Sequence, residues 1–166
     1  MRRVALIAAV IALVDQLTKW LVLRGVDPAQ PIPVVDGFFQ IVNWRNTGAA
    51  WGIFRDYNLV LAIVSALTVL ALYIFRHTFG VQRTGPALAL GLIAGGIVGN
   101  VIDRIRLGSV VDFLDFYVAR YNWHWPAFNV ADSAICIGVV LYIIVSWQSA
   151  DAATPGAGKT SGQNRD

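Results

Sequence analysis

The 166-residue sequence predicts an all-α membrane protein: a bundle of four transmembrane helices with a small β-sheet at the membrane surface. Three observations carry this. Hydrophobic residues make up 57% of the chain and charged residues 14%, with a mean hydropathy of +0.60, whereas a soluble domain carries roughly 25% charged residues. Four apolar stretches, Val4–Leu23, Leu59–Phe75, Pro86–Ile102 and Ala131–Trp147, each approach the about 20 residues that a helix needs to cross the hydrocarbon. Between the first two lies Val34-Val35-Asp36-Gly37-Phe38-Phe39-Gln40-Ile41-Val42, a β-rich run broken by an Asp-Gly turn signal.

Taken in order, Met1-Arg2-Arg3 and the apolar run after it imitate a signal peptide, but Asp15-Gln16-Leu17-Thr18-Lys19-Trp20 follows where small residues of a cleavage site would stand. The reading is an uncleaved first helix over 4–23. Residues 25–56, with Pro28, Pro31 and Pro33, form the β-rich segment. A second helix over 57–76 and a third over 86–105 are joined by a short connection. The longer connection between Asp103 and Asn129 carries Trp123, His124, Trp125 and Phe128, aromatics that favour the lipid–water boundary. A fourth helix spans 130–148, and the Ala-, Gly-, Ser- and Thr-rich residues 149–166 read as a disordered tail. Residues 1–148 thus form one membrane domain. An even number of spans places the two larger connections on one face of the membrane and both termini on the other.

Charge decides little about orientation, because arginines occur on both faces. The net charge of +3 is scattered rather than gathered into a stripe, which argues against nucleic acid as a partner. The single cysteine, Cys136, excludes an intrachain disulfide. Gly158-Lys159-Thr160 imitates a phosphate-binding loop without the strand and helix that such a loop needs.

Every acidic residue is an aspartate, and several lie in or at the ends of apolar helices, where an ionised group costs several kcal/mol unless it is paired. Asp15 and Lys19 share a helix face, either as a self-neutralised pair or as part of a site. Gly91, Gly95 and Gly99 form a row at spacing four that lets another helix approach, and the row ends in Asp103; the adjacent row runs Gly96, Asn100, Arg104. Asp112, flanked by Val110-Val111 and Phe113-Leu114, is either a partly desolvated carboxyl with a raised pKa or a solvated loop residue. Asn129 followed by Asp132 resembles a capping box. The span order, however, places Asp132 on the same membrane face as Asp112, Asn100 and the Arg45-Asn46-Thr47-Gly48 loop.

Two carboxyls brought together in a partly apolar site share one proton. One then takes a proton from water as it attacks an amide carbonyl, while the other polarises that carbonyl and helps the nitrogen leave. No metal or cofactor is needed, and His77 and His124, the only histidines, fall on opposite faces. A Ser–Lys arrangement of Ser133 or Ser109 with Lys19 ranks lower because Lys19 already has Asp15 beside it.

Five ordered blocks now stand out: Asp15-Gln16-Leu17-Thr18-Lys19, Asn46-Thr47-Gly48-Ala49-Ala50-Trp51-Gly52, Gly95 to Arg104, Val110-Val111-Asp112-Phe113, and Phe128 to Ser133. Together they closely resemble bacterial lipoprotein signal peptidase, or signal peptidase II, over residues 1 to 148. The resemblance implies an aspartic endopeptidase with Asp112 and Asp132 as the catalytic dyad. Asn46, Gly48, Asn100, Arg104 and Asn129 would support substrate and dyad, with Asp15, Lys19 and Asp103 in the same polar site. It further implies that the substrate is a diacylglyceryl-modified prolipoprotein cut just before the lipidated cysteine, and that the cyclic peptide globomycin inhibits the enzyme. The protein would be a multi-pass component of the bacterial cytoplasmic (inner) membrane in contact with its lipids, with both termini cytoplasmic. The active site and the β-sheet cradle would then be extracytoplasmic. Trp51 stands where the family more usually has Phe. Two readings from other classes compete: a transporter lined by Asp15, Lys19, Asp103 and Arg104, disfavoured by the lack of an internal repeat, and an assembly factor held by the glycine face, which leaves the aspartates idle.

Overall fold

The computed structural model describes residues 1–48 and 53–153. In chain order the elements are α1 (Arg2–Gly25), β1 (Ile32–Val35), β2 (Phe39–Asn46), α2 (Asn58–Ile74), α3 (Thr84–Leu107), β3 (Val110–Val118), a 3₁₀ turn (Ala119–Tyr121), β4 (Trp123–His124) and α4 (Val130–Ala153). Three stretches, Arg2–Gly25, Thr84–Leu107 and Val130–Gln148, are long and apolar enough to cross a membrane. At 17 residues α2 is shorter than the expected 57–76 and sits at the lower limit for a span.

The burial pattern is inverted relative to a soluble bundle. The buried residues of α1 are Ala12, Asp15, Lys19 and Val22, a narrow helical stripe whose centre is charged, while Leu6, Leu13, Leu17 and Leu21 face outward. A hydrocarbon solvent accepts such leucines, so the helices associate through close packing and polar contacts. Helix α3 lies at the centre, against α1, α2 and α4. The expected glycine row meets α1: a Cβ on Gly91 would lie 2.7 Å from the Ile7 side chain, and one on Gly95 would lie 2.7 Å from the Ala8 carbonyl oxygen. A Cβ on Gly96, on the neighbouring row, would meet the Ala131 carbonyl of α4, and one on Gly138 of α4 would lie 2.8 Å from the Ala89 oxygen.

Backbone cannot yield as a side-chain tip can. Gly95→Ala is therefore expected to destabilise the protein by about 1–3 kcal/mol. Gly25→Ala, where a Cβ meets nothing within 4 Å, should leave thermal unfolding in detergent unchanged. Equal melting of the two variants would contradict the close approach of α1 and α3.

The sheet is antiparallel, in the order β1-β2-β3-β4. The Asp36-Gly37 signal makes the β1–β2 turn, with Gly37 at φ +76°, where glycine escapes the Cβ penalty. In β2 and β3, Gln40 lies opposite Asp115, Trp44 opposite Asp112 and Asn46 opposite Val110. The sequence reading left Val110–Val118 inside a connection, and the structure corrects it to a nine-residue strand. Aspartates at 112 and 115 break the alternation by which strands are recognised. A bulge adds to this: the Phe113 and Leu114 amides both donate to the Phe128 carbonyl, at 3.0 and 2.9 Å.

Val22 of α1 and Val26 just after it pack with Val111 and Phe113 of β3, joined by Leu23, Ile41, Leu114 and Val130. This cluster seats the sheet on the ends of α1 and α4 where the polar residues gather. Helix α4 runs on to Ala153, five residues beyond the expected 130–148. The remainder of the tail, with Gly158-Lys159-Thr160, lies outside the described residues, as does Trp51.

Candidate active site

Two polar layers lie between the helix ends and the sheet. The deeper one centres on Lys19, whose ammonium meets Asp15 at 2.8 Å, Asp103 at 2.9 Å and the Asn100 side-chain oxygen at 2.9 Å. All three donors of the ammonium are thus used. Asp15 is fully buried and Lys19 and Asp103 are 2% exposed, so the group is stable only while its members are paired. Its spare acceptors hold backbone: Asp15 accepts the Ala131 amide of α4 at 2.9 Å, and Asp103 accepts the Val111 amide of β3 at 3.1 Å. One ionic cluster therefore fixes where α4 and β3 begin, the elements that carry Asp132 and Asp112. Asp15 and Lys19 are paired with each other, and Asn100 joins them to the same hydrogen-bond network as Asp132.

The upper layer is made of asparagines. Asn129 donates to Asp112 Oδ1 at 2.8 Å, its Oδ1 accepts the Asp132 amide at 3.0 Å, and its own amide donates to Asp132 Oδ2 at 3.2 Å. The last two bonds are the expected capping box, and the first joins the box to Asp112. Asn46 donates to the other oxygen of Asp112 at 2.9 Å, and Asn100 donates to Asp132 Oδ1 at 2.7 Å. Asn100 thereby links Lys19 to Asp132, and Asn129 links Asp132 to Asp112. Gly48 receives its place from the same loop: its amide donates to Asn46 Oδ1 at 2.9 Å, and its carbonyl accepts from Arg104 Nη2 at 2.9 Å.

Asp112, on β3, is 4% exposed. Burial pushes its carboxyl up from the usual 3.8 to about 7, and the neighbouring Asp132 charge pushes the same way; the hydrogen bonds from Asn46 and Asn129 and the charge of Lys19 oppose it. Four carboxyls, Asp15, Asp103, Asp112 and Asp132, face two cations, Lys19 and Arg104, so a proton held on the dyad relieves an excess of negative charge. A protonated carboxyl beside an ionised one can serve as acid and base in adding water across an amide.

The structure gathers all ten residues expected at the site, which span Asp15 to Asp132, into this one network. Three contributors escaped the sequence reading. Gln16 donates to Asp103 at 2.9 Å and to the Gly99 carbonyl at 3.1 Å; its place beside Asp15 was the available signal. Asn58, at the start of α2, donates to the Arg104 carbonyl at 3.1 Å. Asn43 donates to the Val26 carbonyl at 2.9 Å and ties β2 to the end of α1. The two histidines belong to different parts of the fold: His77 bonds Gln82 in the α2–α3 connection, and His124 lies on β4.

Comparison with known proteins shows the family. Residues 7–148 match the family model described as signal peptidase (SPase) II. The lipoprotein signal peptidase of Syntrophotalea carbinolica is 43% identical over 150 residues, covering 89% of this chain and 92% of the relative. That of Geobacter sulfurreducens is 49% identical over 133 residues, covering 78% and 82%. A solved bacterial membrane enzyme, obtained by the in meso method at 2.3 Å resolution, is 31% identical, covers 96% of both chains and superposes with a TM-score of 0.83.

Proposed function

Because the chain belongs to the signal peptidase II family, a family of proteases that remove signal peptides from prolipoproteins, we propose that it is an aspartic endopeptidase whose Asp112 and Asp132 cleave diacylglyceryl-modified prolipoproteins just before the lipidated cysteine. The observation that carries the dyad is Asn129, which hydrogen-bonds both carboxyl groups and leaves them sharing one polar layer. In the reaction one carboxylate removes a proton from water as the oxygen attacks the scissile carbonyl. The protonated partner donates to the developing oxyanion and then to the leaving nitrogen. No nucleophilic side chain takes part, and no metal or cofactor is called upon.

A multi-pass protein of this composition meets its substrate in the bilayer. A diacylglyceryl group on the substrate cysteine holds the scissile bond at headgroup depth, and carboxyls at helix ends meet it there. We assign four spans with α2 included, residues 1–148 as the peptidase domain, both termini to the cytoplasm, and the sheet and dyad to the extracytoplasmic side of the inner membrane. Globomycin, as a cyclic peptide, would occupy the same site as the substrate.

The test is incubation of the purified protein with a diacylglyceryl-modified prolipoprotein and with its unmodified counterpart. Cleavage of the modified protein alone, before the cysteine and blocked by globomycin, is the expected result. Equal cleavage of both would refute lipid recognition. Failure of the folded protein to cleave either would return the transporter and assembly readings to the front.

A further inference from the structure

A second built feature lies on the sheet, outside the dyad network. Asp115 is fully buried, yet it belongs to neither the Lys19 cluster nor the asparagine layer. Its Oδ2 accepts from Gln40 Nε2 at 2.7 Å, and both its oxygens lie within 3.0 Å of His124 Nδ1. In the neutral imidazole, a hydrogen on Nδ1 donated to the Asp115 carboxylate leaves Nε2 with a lone pair. The ring is also fixed from its sides, stacked on Tyr117 at 5.4 Å between centroids and 6.1 Å from Trp44. The side chain of His124 is nevertheless 37% exposed. A fully buried carboxylate costs folding energy unless it is paired, and here it holds one accessible imidazole in one tautomer and one orientation.

Position gives that imidazole a use. Trp44 lies directly opposite Asp112 in the β2–β3 register, and such Cα pairs are about 4.5–5.5 Å apart. The His124 ring is bonded to Asp115, three residues along β3 from Asp112, which puts it about 10 Å from Asp112, or roughly three residues of extended chain. We propose that His124, oriented by Asp115 and Gln40, accepts a hydrogen bond through Nε2 from a main-chain N–H of the substrate about three residues after the cleaved bond. His124 is then a substrate-binding residue and Asp115 a positioning residue. The proposal rests on the peptidase reading above and adds a contact on the mature side of the substrate.

The experiment uses synthetic diacylglyceryl lipopeptides in which the second, third or fourth amide after the cysteine is N-methylated in turn. For the wild-type enzyme, one of these methylations should raise KM about fivefold, the weight of one hydrogen bond, with kcat unchanged. His124→Ala should raise KM for the unmethylated peptide by the same factor and be indifferent to that methylation. His124→Gln, which can place an amide oxygen near the position of Nε2, should recover part of the sensitivity, and Asp115→Asn should weaken it. A wild-type enzyme that cleaves all the peptides with equal KM overturns the contact, as does a His124→Ala variant that keeps full sensitivity. Absence of cleavage of every peptide by wild type would instead overturn the peptidase reading on which the contact rests.

Discussion

Replacing Asp112 or Asp132 by Asn should lower kcat by at least about 10³-fold, since each substitution removes the acid or the base from a pair that acts as a unit. Asn is chosen because it keeps the volume and one acceptor: Asn46 and Asn129 surround residue 112, and Asn100 and the Asn129 amide surround residue 132. Both variants should therefore fold. The double variant should be no worse than either single, the signature of groups that share one proton. Retention of a tenth of wild-type kcat by either variant would sink the dyad.

The same pair sets the pH response, because deprotonation of Asp112 near 7 removes the proton on which the acid step depends. In the wild type kcat/KM should fall as pH rises above about 7, with the apparent value belonging to the pair. Stability runs in the same direction. Native Asp112 holds its proton up to about 7, whereas the unfolded carboxyl releases it near 3.8, so between these values the native state binds more protons. Its contribution to stability is complete below about pH 3.8 and is lost as pH rises through about 7. At about pH 8 the wild type carries an unfavourable charge that Asn lacks. The Tm of Asp112→Asn relative to wild type should then be higher at pH 8 than at pH 5. A relative Tm that is flat with pH would contradict the raised pKa.

The sequence reading reached the helices because four long apolar runs in 166 residues leave few alternatives. It singled out the polar residues that the fold gathers because aspartates inside apolar segments are costly enough to stand out. It could not separate the two readings of Asp132, because one carboxyl makes both sets of contacts: Oδ2 caps the Asn129 amide while Oδ1 takes the hydrogen bond from Asn100. Strand β3 was missed because its two aspartates point to different partners. Asp112 turns to Asn46 and Asn129, Asp115 to Gln40 and His124, and the bulge at Phe113–Leu114 interrupts the strand between them. The pairing of Asp115 with His124 has no local signature, since it depends on a strand return through the turn at Ala119–Tyr121. Periodicity finds faces of elements; contacts made by folding one strand back on another lie beyond it.

Lys19→Met is expected to cost about 3–5 kcal/mol and to leave little folded protein, because it strands two buried carboxylates whose shared cation is gone. The cost arises from what remains rather than from what is removed. Neutralising the partners should therefore restore folding: in Lys19→Met/Asp15→Asn/Asp103→Asn no charge is left unpaired, and the Asn oxygens can still accept the Ala131 and Val111 amides that position α4 and β3. Activity should not return with stability. Lys19 holds the Asn100 oxygen at 2.9 Å, Asn100 holds Asp132, and the charge of Lys19 favours ionisation of the dyad. Thermal unfolding and cleavage measured on the single and triple variants separate the two effects. A triple variant as unstable as Lys19→Met would mean that the ionic cluster is not the source of the loss. A triple variant with wild-type kcat would mean that the cluster supports the fold and contributes nothing to the chemistry.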